Sequence, residues 1–387
     1  MSRTILLPTD NGGLECYSLA GTSREPVPDT GPLRSRVVFA AAHVVADPLA
    51  DNTPGRPAGV DWAATLRFRH HLWSLGLGVA DAMDTAQRGA GLDWPAAAEL
   101  IRRSAAEARS VGGRLAVGVG TDQLVHADSV DAVLAAYTEQ LDVAESAGAQ
   151  PILMASRALA TVARGPEDYA RVYGRLLEQV RGPVLLHWLG PMFDPALTGY
   201  WGSDDLDAAT DSLLDIISAH AGRIDGVKIS LLDADREIAV RRRLPAGVRC
   251  YTGDDYHYRD LIRGDEHGHS DALLGIFDVI AGAAAQAVRA LDAGDVAGYD
   301  KAFEHTEPLA RKVFEPPTRY YKTGVVFLAW LAGQQDHFRM VGGAESARSL
   351  PHLARLFRLA DRAGLFGDPE SAVERMSLLL EVAGVGR

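Results

Sequence analysis

A lysine in the middle of an apolar run is the residue of this sequence best placed to do covalent chemistry. Asp225-Gly226-Val227-Lys228-Ile229-Ser230 has the length and β-branched content of a buried strand. An ammonium loses its hydration in such a place, so burial favours the neutral amine and lowers the lysine pKa. A neutral amine at a strand end is the nucleophile that carbonyl chemistry needs, because it can form a Schiff base. The bland alternative is a lysine at the strand tip that snorkels its ammonium to water. A Schiff-base cycle also needs a proton carrier to collapse the carbinolamine. His187, which closes the run Pro183-Val184-Leu185-Leu186-His187, titrates in the right range. A histidine there could equally cap the strand end by hydrogen bonds alone.

Asp84 and Thr85 follow the run Gly78–Met83 and could hold a substrate hydroxyl or carboxylate, or simply cap the next turn. Asp254, with Asp255 beside it, has the same two readings. His43, Trp188 and His269 complete the candidate substrate-binding set. Against them, Trp188 could serve only for packing, and His43, His257, His267 and His269 could be ordinary loop histidines. A rival use of the same groups is a divalent metal site built from His43, Asp84, His187, Asp254 and His269, as in barrel hydrolases and sugar isomerases. Those residues are scattered singly, and His267-Gly268-His269 is the nearest thing to a local ligand pair. The Schiff-base reading requires no metal and no cofactor.

Such residues can meet only if the elements that carry them converge. Short apolar runs begin at Val37, Gly78, Arg114, Pro151, Pro183, Asp225 and Val248, with a weakly marked eighth around Gly268-His269-Ser270-Asp271. Amphipathic segments lie between them: Asp61 to Leu75, a helix opened by Asp93-Trp94-Pro95, Ser129 to Ala147, Pro166 to Val180, Asp204 to Ala221, and a charged segment ending in Arg241-Arg242-Arg243. Strand and helix alternate at roughly thirty-residue spacing, the beat of a parallel sheet covered on both faces. No Gly-x-Gly-x-x-Gly follows the first run, so the count favours a (β/α)8 barrel over a dinucleotide-binding sheet. In such a barrel the residues just past each strand share one mouth.

Residues 1–36 read as a β-hairpin around Asn11-Gly12-Gly13 and a Pro/Gly-rich connection up to Pro32. Residues 37–282 read as the barrel. Residues 283–387 read as a helical extension, with helices over Ala283–Leu291, Ala297–Phe314, Thr323–Gly333, Leu350–Ala363 and Pro369–Val382.

The net charge of −12 argues against nucleic acid and anionic membranes as partners. Cys16 and Cys250 give neither a disulfide framework nor a zinc pattern. No secretory leader and no window of about eighteen unbroken apolar residues is seen. The expectation is a cytoplasmic protein acting on a small-molecule carbonyl substrate.

The chain resembles the dihydrodipicolinate synthase and N-acetylneuraminate lyase superfamily of class I aldolases, as a divergent dihydrodipicolinate synthase-like branch. Gly226-Val227-Lys228-Ile229-Ser230 is similar to that family's Gly-(Ile/Val)-Lys-(Glu/Asp) strand, and Pro183–Trp188 to its Pro-Val-x-Leu-Tyr-Asn strand. Asp84-Thr85-Ala86-Gln87 sits where the family has Thr-Thr-Gly-Glu. Thr252-Gly253-Asp254-Asp255 matches its Ser/Thr-Gly-Asp-Asp, and Pro316–Lys322 is similar to its late Asn-Pro-x-Pro-x-Lys element. The resemblance implies that Lys228 makes the Schiff base, and that the protein forms dimers or tetramers. Two departures bear on the chemistry. His187 replaces the family's relay tyrosine, and a phenol and an imidazole differ by about three pKa units. Asp84 replaces a threonine that meets a carboxylate, so an anion should be repelled there. A neutral keto-sugar or aldehyde therefore stands beside a keto acid as the expected substrate.

Overall fold

Eight short apolar segments can satisfy all their backbone groups at once if each pairs with two neighbours and the last pairs with the first. The computed structural model, which describes residues 4–20 and 31–385, shows this closure. After an antiparallel pair, β1 (Thr4–Pro8) and β2 (Leu14–Ser18), come β3 (Val38–Ala41), β4 (Gly78–Asp81), β5 (Leu115–Val119) and β6 (Gln150–Leu153). They are followed by β7 (Val184–Leu189), β8 (Ile224–Ser230), β9 (Arg249–Thr252) and β10 (Asp271–Leu274). Strands β3 to β10 form a closed parallel barrel in sequence order, with β10 paired to β3. Helices alternate with these strands, so the fold is a (β/α)8 barrel. The part of the expected Pro/Gly-rich connection that spans 21–30 lies outside the described residues.

Side chains alternate between two cores. Phe39, Ala41, Ala80, Ile152, Leu185, Tyr251 and Leu273 fill the barrel interior. Their neighbours Val38, Val79, Val117, Leu186, Val227 and Ile229 pack outward with the helices. The helices start where the sequence places a capping side chain. Asp61, Asp93 and Ser129 accept hydrogen bonds from the backbone N–H groups of Ala64, Ala96 and Ala132. In the outer layer Arg69 and Asp81, both fully buried, form a two-pronged ion pair at 2.8 and 3.1 Å, and Ser104 donates to the same carboxylate at 2.6 Å.

Two expectations are corrected. The eighth strand begins at Asp271 and not around Gly268, because residues 264–269 close a turn in which the Asp265 N–H donates to Gly268 O at 2.9 Å and Gly268 takes a φ of +139°. The helix expected over Ala297–Phe314 is two, Val296–Phe303 and Thr306–Val313, since His305 leaves helical geometry at φ −106°, ψ 3°.

The C-terminal helices pack on the barrel rather than hanging from it. Helix Tyr321–Leu331 lies against helix Leu350–Arg362, with Gly324 facing Leu356. The hairpin clasps that second helix: the Tyr17 hydroxyl donates to Asp361 at 2.7 Å, and Arg358 donates to Pro8 O at 3.1 Å. Among the described residues no helix is long and apolar enough to cross a membrane.

Candidate active site

Lys228 lies near the C-terminal end of β8, the sixth barrel strand, and His187 is its register partner on β7. Leu185 faces the interior, so by the two-residue period His187 does too, and Lys228 beside it. Lys228 is only 8% exposed, and no hydrogen bond or ion pair ties its amine to any described residue. Burial lowers its pKa, while the charges of Asp255 and Asp84 pull it back up. Room for the chain depends on Gly253: a Cβ there would sit 2.8 Å from Lys228 Cε and 2.2 Å from Ser230 Oγ.

His187 is fully buried. Its Nε2 lies 3.1 Å from Ser230 Oγ, and its Nδ1 has no partner. Burial first, then the Lys228 charge, holds its pKa well below the ordinary value, so the ring is neutral near pH 7. Asp255 supplies the group with the complementary behaviour. Burial pushes its carboxyl up to about 7, against the N–H of Ile276, which donates to it at 2.8 Å, and the charge of Lys228. Thr85 Oγ1 and the buried Tyr321 hydroxyl lie 2.9 Å apart, joining the turn after β4 to the C-terminal layer. Asp84, partly buried, makes no side-chain hydrogen bond with the described residues, and both Lys228 and Lys322 feel its charge.

Asp84 and His187 line a cavity of about 670 Å³ together with Arg88, Thr121, Ser156 and Arg157. Its arginines are already paired. Arg88 grips Asp122 and donates to Gln140 at 2.8 Å; Arg157 pairs with Asp194. Thr121 and Ser156 share a 2.6 Å hydrogen bond.

Lys228, His187, Asp84 and Thr85 are thus brought to one end of the barrel. Four other candidates are not available to a substrate there. His43 is fully buried, with Nδ1 on Asp278 at 2.7 Å and Nε2 on Gln335 at 3.0 Å, so both ring nitrogens are engaged by the protein. Asp254 is a turn residue: one oxygen accepts from the N–H groups of Tyr256 and His257, and the other meets His257 Nδ1 at 2.8 Å. Trp188 alternates with His187 and points into the outer helical layer. His269 precedes β10 and is exposed at the opposite end of the barrel. These displacements also scatter the metal-ligand set, and no group of three His, Cys, Asp or Glu that could hold an ion occurs among the described residues.

Sequence reasoning gave Asp254 and Asp255 the same two readings and named Asp254 for the site, because a pair of aspartates after a strand does not say which one turns inward. It noted Tyr321 and Lys322 only inside a motif. A residue on a late helix carries no local mark of facing a strand end more than two hundred positions earlier, as Tyr321 faces Thr85.

Solved structures similar to this chain include dihydrodipicolinate synthases and members of their family. That of Aquifex aeolicus is 14% identical, with a TM-score of 0.64 over 86% of this chain and 99% of its own. A prophage protein of the dihydrodipicolinic acid synthase family from E. coli K12, solved in complex with pyruvate, is 15% identical, with a TM-score of 0.65 over 85% and 99%. The 4-hydroxy-tetrahydrodipicolinate synthase of Methylacidiphilum fumariolicum SolV is 16% identical, with a TM-score of 0.64 over 88% and 99%. At these identities the likeness is one of fold. No curated protein matches the sequence. A single family model, described as "Protein of unknown function (DUF993)", matches residues 5–385, and the chain belongs to that family.

Proposed function

We propose that the protein is a Schiff-base-forming lyase or aldolase acting on a small keto acid or keto-sugar. The observation that carries this reading is a buried amine with no partner among the described residues, near the C-terminal end of the sixth barrel strand, beside a neutral imidazole in register. Lys228 Nζ attacks the substrate carbonyl carbon, and the carbonyl oxygen becomes the carbinolamine hydroxyl. Asp255, whose carboxyl holds its proton up to about pH 7, protonates that hydroxyl so that it leaves as water. The iminium then accepts the electron pair of the bond broken next to it, giving an enamine. His187, neutral and with Nδ1 unengaged, takes the proton released from the substrate in that step and returns it later. Thr85, Tyr321 and Asp84 bind substrate oxygens at the rim. The likeness of fold to barrels of the dihydrodipicolinate synthase family supports the same class.

The test is borohydride trapping of the purified protein with pyruvate, hydroxyacetone and dihydroxyacetone, read by mass spectrometry of the digested chain. The expected result is a mass increment, with at least one of these compounds, on the peptide containing Lys228. An unmodified Lys228 peptide across all three overturns the proposal.

A further inference from the structure

The cavity holds more charge than the Schiff-base chemistry uses. Two arginines line it, and a lysine behind that lining feels the charge of three of its residues. Arg88 is engaged by Asp122 and by the backbone oxygens of Ala82 and Gly118, and Arg157 by Asp194. The lysine, Lys322, comes from the first turn of helix Tyr321–Leu331, and no carboxylate of the described residues lies within ion-pair distance of it. Its amine makes one long hydrogen bond, to Arg319 O at 3.4 Å, and sits 4.9 Å from the centre of the Tyr321 ring. Its charged neighbours are Asp84, Arg157 and Asp194, and all three line the cavity.

Stability does not explain the placement. A cation in the first turn of a helix opposes the helix dipole, and partial burial strips water from it. Burial lowers the Lys322 pKa, whereas Asp84 and Asp194 favour its charged form from a distance. The result is an ammonium with donors to spare, acted on by the charge of the same aspartate that acts on Lys228. It also answers the charge problem that Asp84 raises. An anion entering beside a lone aspartate would be repelled; the Lys322 ammonium offsets that repulsion.

We propose that Lys322 is the anion-binding residue of this site, so that the substrate is a carbonyl compound bearing a carboxylate or phosphate group held by the C-terminal layer. The carbonyl part of the statement rests on the Schiff-base reading; the anion part stands apart from it and is tested apart.

Lactate and inorganic phosphate have no carbonyl to react, so their binding reports on the anion site alone. Titration calorimetry at low salt and pH 7 would compare the wild-type protein with Lys322→Gln, Lys322→Met, Lys322→Arg and Lys228→Arg. At least one of the two anions binds the wild type, and the Gln and Met variants weaken it about tenfold or more, as loss of a charged hydrogen bond does. The Arg variant restores most of the affinity, and Lys228→Arg still binds. Which anion responds distinguishes a carboxylate from a phosphate substrate. The proposal is overturned if neither anion binds, or if both neutral variants bind like the wild type. Anion binding intact with trapping absent would sink the Schiff base alone, whereas trapping intact with neither lactate nor phosphate bound would sink only the anion site.

Discussion

Gly253 faces Lys228 so closely that a single methyl group on it would lie 2.8 Å from the lysine Cε, closer than carbon atoms approach without contact strain. The backbone there cannot retreat easily, because the Gly253 N–H is held by Ile229 O at 2.8 Å. The same methyl would meet Ser230 Oγ at 2.2 Å and Ile229 O at 2.7 Å, so Gly253→Ala should displace the Lys228 and Ser230 side chains together with a local backbone shift, the rest of the barrel staying folded. The expected outcome is a trapping rate down roughly tenfold or more with an unchanged far-ultraviolet circular dichroism spectrum; one methyl mis-positioning a reacting atom has effects of this size. Wild-type trapping in this variant would show that the slot does not constrain Lys228.

Asp255 should set the alkaline limb of the pH–rate profile. Its carboxyl, pushed up to about 7 chiefly by burial, is protonated below that pH and ionised above it. In its proposed role as the acid for carbinolamine dehydration it works only while protonated, so the trapping rate should fall as pH rises through about 7. Asp255→Asn should be slower by roughly a hundredfold and lack that limb. Initial rates of trapping between pH 5 and 9 decide the matter, and a limb that persists in the variant assigns the titration to another group.

Stability should decline with rising pH for a reason unrelated to catalysis. Glu237 is fully buried under β9 and β10, accepts from Ser270 Oγ at 2.7 Å, and has its pKa raised from 4.5 to about 8, mainly by burial. Ionisation is then harder in the folded chain than in the unfolded one. Its contribution is full below about 4.5 and is lost as pH climbs through about 8. Glu237→Gln should flatten that decline, gaining on the wild type by roughly 1–3 kcal/mol between pH 5 and 9. Urea unfolding at the two pH values measures it, and parallel curves would refute the assignment.

The ion pair of Arg69 and Asp81 is wholly inside the protein. Arg69→Ala leaves a buried carboxylate without its partner and should cost about 3–5 kcal/mol. Removing the charge as well, in Arg69→Met with Asp81→Asn, should recover part of that loss. Denaturant midpoints for the three proteins give the comparison; a single variant as stable as the wild type would mean that water reaches the site.

The barrel was legible in the sequence because its strands are apolar on both faces and its helices announce their starts with Asp61, Asp93 and Ser129. The last strand was placed too early because Ala272-Leu273-Leu274 is short and follows a turn rich in polar residues. That shift of a few positions carried His269 from one end of the barrel to the other. That Lys228 and His187 lie side by side near strand ends could be read ahead because strand register is local information. The engagement of His43 by Gln335 could not be read ahead, since it is set by tertiary packing, and that of Asp254 by His257 depends on the turn its own neighbours adopt.

The clasp between hairpin and C-terminal helix ties remote parts of the chain together. Tyr17 and Pro8 hold the helix that carries Arg358 and Asp361; Leu356 on that helix wedges against Gly324; and the Gly324 helix presents Tyr321 and Lys322. A lesion in the first twenty residues would thus travel inward as a loosened wall of the mouth, and would be mistaken for an active-site defect by anyone assaying turnover alone.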